Sequence, residues 1–133
     1  MSANISEICN VSHAMPYQAI SNTAINSTVF SMANYDRIQF AVTGGVIAGT
    51  LTAQIMQCID TNVANMAAIT GAPANITITT NTTKLIEVRD TLLDTANANC
   101  FVAIRVTGAT SVCNASATAL RTYARLKQAT LLG

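Results

Sequence analysis

The sequence predicts an all-β domain, an antiparallel β-sandwich or jelly roll with an irregular N-terminal arm. Three observations lead to this prediction. The polar residues are mainly Thr, Asn and Ser, and Thr favours strands whereas Asn and Ser favour turns. Apolar and polar residues alternate in several short segments. Clusters of Gly, Pro and Asn separate these segments at intervals of about 8–14 residues, which is typical of sandwiches.

The length and charge of the chain exclude several classes of protein. Its 133 residues fit one domain, and 50% of them are apolar. Only 10% are charged and the net charge is +1, so no strong field would attract nucleic acid or an acidic membrane. The start of the chain lacks a secretion signal, and no apolar run of about 18 residues is present. We therefore expect neither a nucleic-acid nor a membrane partner, and a surface that protein partners partly cover.

Two segments, residues 35–43 and 100–107, show the sharpest alternation of apolar and polar side chains. A period of two predicts strands with one buried face. We expect the apolar faces of both strands to meet in the core of the sandwich. The residues predicted to form this core are Ile38, Phe40, Val42, Val102 and Ile104.

The connections between strands are predicted from glycine and from small polar residues. Gly44 and Gly45 predict a turn before a second strand over residues 50–56, because glycine adopts positive φ freely. Residues 108–117 are predicted to be a loop. Residues 116–128 fit either a strand or a helix, and the alternation of charge there favours the strand.

The first 33 residues differ from the rest of the chain. They contain one acidic residue, Glu7, and no Lys or Arg, and Pro16 interrupts any regular pattern. We expect residues 1–33 to be an N-terminal arm with an edge strand, and residues 34–133 to form the sandwich core domain. Arms of this kind often gain order by docking on a neighbouring molecule.

No group of residues suits catalysis or metal binding. The single histidine, His13, lies in the arm with no Asp or Cys beside it. Asp90 and Asp94 are typical of a capped corner, and residues 60–62 resemble a calcium loop that lacks its glycine and its glutamate. The sequence therefore predicts no catalytic residue, no metal, no cofactor and no enzymatic activity.

The chain has four cysteines, and no two of them form a C-x-x-C pair: Cys9, Cys58, Cys100 and Cys113. A chain without a secretion signal would keep them reduced. Buried free thiols are expected, and pairing into disulfides stays an alternative.

The candidate contact residues are aromatic and basic. As a strand, the last segment would place Arg121, Tyr123 and Arg125 on one side, and Tyr17 is a further candidate in the arm. Such a stripe could stack nucleic-acid bases, but the near-neutral charge favours a protein interface, where Tyr and Arg are enriched.

Residues 35–60 resemble a pattern in small virion proteins of tailed bacteriophages. In these proteins an aromatic-Asp-Arg sequence, here Tyr35-Asp36-Arg37, opens a strand, a glycine-rich turn follows, and a second strand ends in Gln and Asp. Residues 101–107 resemble their late core strand.

The resemblance implies a jelly-roll or sandwich protein that decorates or cements a capsid, often as a trimer. The expected partners are the major capsid protein and further copies of the chain. The expected location is the capsid surface of the virion, after synthesis in the host cytoplasm. A tail, neck or fibre-base component of the virion and a carbohydrate-binding β-sandwich module are the alternatives.

Overall fold

A computed structural model describes residues 9–33, 35–72, 75–94, 100–109 and 111–122. These residues form ten strands and two short 3-10 turns, Val63–Asn65 and Asp90–Leu92. The described ranges contain no helix that is long and apolar enough to cross a membrane. The strands are β1 (Cys9–Ile20), β2 (Thr23–Asn26), β3 (Phe30–Ser31), β4 (Arg37–Ile47), β5 (Thr50–Cys58), β6 (Ala67–Ala68), β7 (Ile76–Ile78), β8 (Thr83–Arg89), β9 (Phe101–Ala109) and β10 (Cys113–Thr122).

The strands pair into two antiparallel sheets that pack face to face. Sheet A has the order β1-β10-β4-β8. Sheet B has β9 and β5 paired at its centre. On one side, β2 and β3 both pair with β9. On the other side, β6 and β7 both pair with β5. The fold is therefore a β-sandwich, as the sequence predicted.

The order of pairing identifies the sandwich as a jelly roll. If β2 with β3 and β6 with β7 each count as one broken strand, eight strands remain. The first pairs with the eighth, the second with the seventh, the third with the sixth and the fourth with the fifth. Nested pairing of eight antiparallel strands into two sheets is the jelly-roll topology.

Apolar side chains from both sheets fill the space between them. Ile38, Phe40 and Val42 from β4 and Val102 and Ile104 from β9 are all completely buried. The Phe40 ring in sheet A lies beside the Phe30 ring of sheet B, with 6.1 Å between the ring centroids. Burial of these side chains provides most of the driving force for folding.

The described part of residues 1–33 is not an arm separate from the core domain. Strand β1 pairs with β10 along its whole length, and Met15, Ile20 and Phe30 join the same core as β4 and β9. The prediction of an edge strand agrees with this placement, and residues 1–8 lie outside the described residues. Two register shifts surround Met15 next to Pro16, and such bulges remove the period of two that identifies a strand.

Gly44 and Gly45 do not form the predicted turn, because β4 continues through both to Ile47. A Cβ on Gly44 would lie 2.8 Å from the Thr79 carbonyl oxygen and 2.9 Å from the Ile78 Cγ2 atom. The glycine therefore allows a close approach between chain segments and is not needed for a positive φ.

Strand β10 begins earlier than predicted, at Cys113 and not after residue 117. Its buried positions carry Cys113 and three alanines, Ala115, Ala117 and Ala119. Small side chains give little contrast with the intervening Asn, Ser and Thr, so the segment resembles a loop in the sequence. Between the two alternatives for residues 116–128, the structure has a strand up to Thr122, and the rest of that segment lies outside the described residues.

Candidate interaction surface

The outer surface of sheet A is formed by side chains that the strand register turns away from the core. Cross-strand partners point to the same side of a sheet, so these residues form rows across the four strands. Tyr17 joins them because its ring lies on Gly45 of β4. This surface is called face A and consists of Val11, His13, Tyr17, Gln39, Ala41, Thr43, Thr83, Leu85, Glu87, Ser116, Thr118 and Leu120, and it is bordered at one end by Arg37 and Arg89.

Face A exposes large apolar side chains, and its charged residues, Arg37, Glu87 and Arg89, lie together at one end. Val11 and Tyr17 are each 61% exposed, and Leu85 is 64% exposed. The Glu87 carboxylate belongs to the face and pairs with Arg37 at its border, across an N–O distance of 3.5 Å. Apolar side chains gathered on one sheet face are typical of surfaces that bind another protein.

Tyr17 is held in place on face A. A Cβ on Gly45 would collide with the Tyr17 hydroxyl and lie 3.1 Å from its Cε2 and Cζ atoms. The ring therefore reaches from the edge strand β1 across β10 and rests on the backbone of β4. A tyrosine has only two side-chain torsions, so it loses little conformational entropy when a partner covers it. This position agrees with the predicted contact role of Tyr17, which stays a prediction.

Arg121 has a different role from the one predicted. Its guanidinium carbon lies 4.5 Å from the centroid of the Tyr35 ring and 5.2 Å from that of the Phe30 ring. One terminal nitrogen donates a hydrogen bond to the Ser31 carbonyl oxygen at 2.9 Å, and the other donates to the Asn10 Oδ1 atom at 3.2 Å. Because Arg121 belongs to sheet A and Ser31 to sheet B, the side chain joins the two sheets.

The predicted stripe of contact residues is therefore corrected at Arg121, whose guanidinium is occupied within the chain and is not a free anchor. No local sequence pattern indicates this role, since Phe30 and Tyr35 are far from Arg121 along the chain. Tyr123 and Arg125 lie outside the described residues, and their contact role stays a prediction. Val11 and Leu85 were missed because no pattern in a single strand reports which apolar residues face outward.

The outer surface of sheet B is partly closed by the chain itself. The strand register places three side chains on the outer side of sheet B that are nevertheless buried, those of Met56, Cys58 and Ala103. The Met66 sulfur accepts a hydrogen bond of 3.7 Å from the Arg105 guanidinium on this side. Part of sheet B is thus covered by the segment that follows β5, whereas Val11, Tyr17 and Leu85 of face A are exposed among the described residues.

The cysteines differ in their surroundings. Cys58 and Cys113 are buried free thiols, whereas Cys100 is free and exposed; the Cys9 side chain lies outside the description. Burial raises the pKa of the Cys58 thiol above its ordinary value of 9.0, the Asp60 carboxylate raises it further, and Arg105 partly offsets both. Such a thiol stays protonated and reacts slowly.

The acidic residues that could have suggested chemistry have structural contacts. The Asp60 carboxylate accepts hydrogen bonds from the Asn62 backbone N–H at 2.9 Å and from the Asn65 side-chain amide at 3.1 Å, so it stabilises the loop after β5. Asp90 opens the 3-10 turn at the predicted corner. Within the described residues, no group of three His, Cys, Asp or Glu side chains is placed to hold a metal ion.

One open cleft of about 450 Å³ lies between the β4–β5 connection and the segment after β7. Its lining combines threonine hydroxyls with three aliphatic side chains and offers neither an ionisable group nor an aromatic ring on which a sugar could stack. The lining residues are Ile47, Gly49, Thr50, Leu51, Thr77, Ile78, Thr79 and Thr80.

Comparison with known proteins supports the fold. No protein-family model and no curated protein sequence matches the chain. The SPBc2 prophage-derived protein YomS is similar over 84% of this chain and 92% of its own, with 8% identity and a TM-score of 0.50. A chain of the Bacillus endospore appendages, a family of disulfide-linked pili, is similar over 92% of this chain and 95% of its own, with 14% identity and a TM-score of 0.46.

A chain of the infectious bursal disease virus Gx strain is similar over 87% of this chain and 32% of its own, with 13% identity and a TM-score of 0.45. The scores of the last two structures fall below 0.5 and add nothing to the first. At 8% identity the likeness to YomS extends to the fold alone. The chain thus shares its jelly-roll fold with a prophage-derived protein.

Proposed function

We propose that this chain is a structural protein of a tailed-bacteriophage virion, which decorates the capsid and stabilises it by binding the lattice of the major capsid protein. It would stabilise the capsid through the surface that it buries against the major capsid protein, without catalysis and without a cofactor. The observation that carries the proposal is face A, a sheet surface with exposed Val11, Tyr17 and Leu85 and with its charged residues at one end. The jelly-roll fold and the low overall charge support it.

The size of face A supports assembly into a homo-oligomer. Four strands about 4.8 Å apart and roughly seven residues long give a surface of about 440 Å². A standard-size protein interface buries about 800 Å² of accessible surface on each partner, so one copy of face A, whose flat projection is smaller than this, offers at most a contact of ordinary size. A homo-oligomer, most simply a trimer, would present several such surfaces together, and their joint binding would be much tighter than that of one.

The test places a charge at the centre of face A. Thr118 is exposed on β10, a central strand of sheet A. Thr107 is exposed on β9, a central strand of sheet B, and faces outward there. We expect Thr118→Asp to weaken binding to phage heads stripped of this protein by at least about tenfold, since desolvating the new carboxylate costs more than 1.4 kcal/mol even with His13 as its cross-strand neighbour. The matched variant Thr107→Asp should bind as wild type does.

Both variants should melt within a few degrees of wild type, because both positions are exposed. Equal binding by Thr118→Asp and wild type would overturn the assignment of face A. Failure of wild-type protein to bind heads at all would overturn capsid decoration, and binding to isolated tails would favour the tail, neck or fibre-base alternative.

A further inference from the structure

Among the described residues no further strand lies beside the outer strands of the two sheets, and these edges differ in how far they could pair with another chain. Edge strand β1 is bulged and contains Pro16. The edges of sheet B are broken into short pieces of two to four residues, β2, β3, β6 and β7. Strand β8 is different, because its seven residues pair with β4 without a register shift. A regular open edge of this length is a template for pairing with a second molecule.

The side chain of Lys84 lies on the core side of edge strand β8. It pairs with Val42 in the register, and partners in the register point to the same side, so Lys84 lies in line with the buried Ile86 and Val88. Lys84 itself is exposed. An inward-facing charge at an exposed edge is one of the devices by which sandwiches avoid edge-to-edge association.

The sequence of β8 makes this charge effective against a second copy. Two copies could pair through their β8 strands in antiparallel orientation, so that their sheets A form one continuous sheet with both core sides facing the same way. Lys84 would then lie opposite a core-side residue of the other copy. Those residues are Lys84, Ile86 and Val88, and none of them is acidic. In each register that sets Lys84 opposite a residue of β8, the ammonium group would be desolvated without a carboxylate across from it, and burying an unpaired charge is strongly unfavourable.

We propose that Lys84 keeps β8 from pairing with the β8 strand of a second copy, so that assemblies of this chain form through other surfaces. The inference concerns the edge of sheet A and does not depend on the proposed virion role.

The experiment compares Lys84→Val with two controls. Arg89→Val removes the same charge from the same strand, but on its outward side, where Arg37 is its partner in the register. Lys84→Glu keeps a charge at the inward position. Each variant is studied by sedimentation velocity over a range of concentrations and by hydrogen exchange of the β8 amides.

We expect Lys84→Val to form species larger than the wild-type assembly at a concentration about tenfold lower than wild type requires, with slowed exchange of the β8 amides that point away from β4. Arg89→Val and Lys84→Glu should sediment as wild type does. Unchanged sedimentation of Lys84→Val would overturn the proposal. Equal association of Lys84→Val and Arg89→Val would also overturn it, because net charge alone would then be the cause.

Discussion

Replacing Arg121 by alanine tests whether this side chain holds the sandwich together or serves as a contact residue. The change removes a charged hydrogen bond to the Ser31 carbonyl oxygen, a second one to Asn10 and the stacking between Phe30 and Tyr35. A hydrogen bond with a charged donor contributes about 1.5–3 kcal/mol, and a partly desolvated cation–π contact about 1–2 kcal/mol. After the rotamer entropy regained on truncation is subtracted, we expect a loss of about 2–4 kcal/mol in the free energy of unfolding.

Urea denaturation with a fixed m value measures this loss. Arg121→Lys should recover only part of it, because an ammonium lacks the planar fork that reaches two acceptors and stacks on rings. Arg37→Ala is the control, since its exposed ion pair with Glu87 should contribute less than about 1 kcal/mol. If Arg121→Ala stays within about 0.5 kcal/mol of wild type but assembly is lost, the contact role predicted from the sequence is right and the structural role is wrong.

Three further expectations concern the core and the cysteines. Phe40→Ala should lower the free energy of unfolding by about 3–5 kcal/mol in urea, because it leaves a cavity beside Phe30; a change within about 0.5 kcal/mol would contradict the packing described for sheet A. Cys100 should react with a thiol reagent in the folded protein, and Cys58 only on unfolding. Because the folded-state pKa of Cys58 is raised, its contribution to stability is complete below the unfolded-state pKa and is lost as the pH rises through the folded-state value. Wild type should therefore lose stability relative to Cys58→Ala above about pH 9, and parallel pH profiles would refute this.

The strands with large inward side chains could be predicted from the sequence, and those with small ones could not. In β4 and β9 the buried positions carry Ile, Phe and Val, so alternation with polar residues is plain. In β10 the buried positions beyond Cys113 are alanines, whose hydrophobicity differs little from that of the threonines between them. Bulges removed the same signal from β1.

The candidate surface was predicted only in part for a related reason. Face A is defined by pairing between strands that are distant in the sequence, such as Val11 with Leu120 and Ala41 with Leu85. A local pattern identifies one buried side of a strand, but not which outward residues become neighbours. The position of Arg121 between two rings likewise depends on contacts between the sheets.

The most direct test of the proposed function is a cryo-electron microscopy map of the virions assembled by a phage that encodes this protein. The proposal expects jelly-roll density on the outside of the head at repeated positions of the capsid lattice, with the exposed Thr118 side of the domain turned toward the major capsid protein. Density for the domain on the tail, or a virion without the protein, would contradict capsid decoration. A domain seated on the head with Thr107 turned toward the lattice would contradict the assignment of face A.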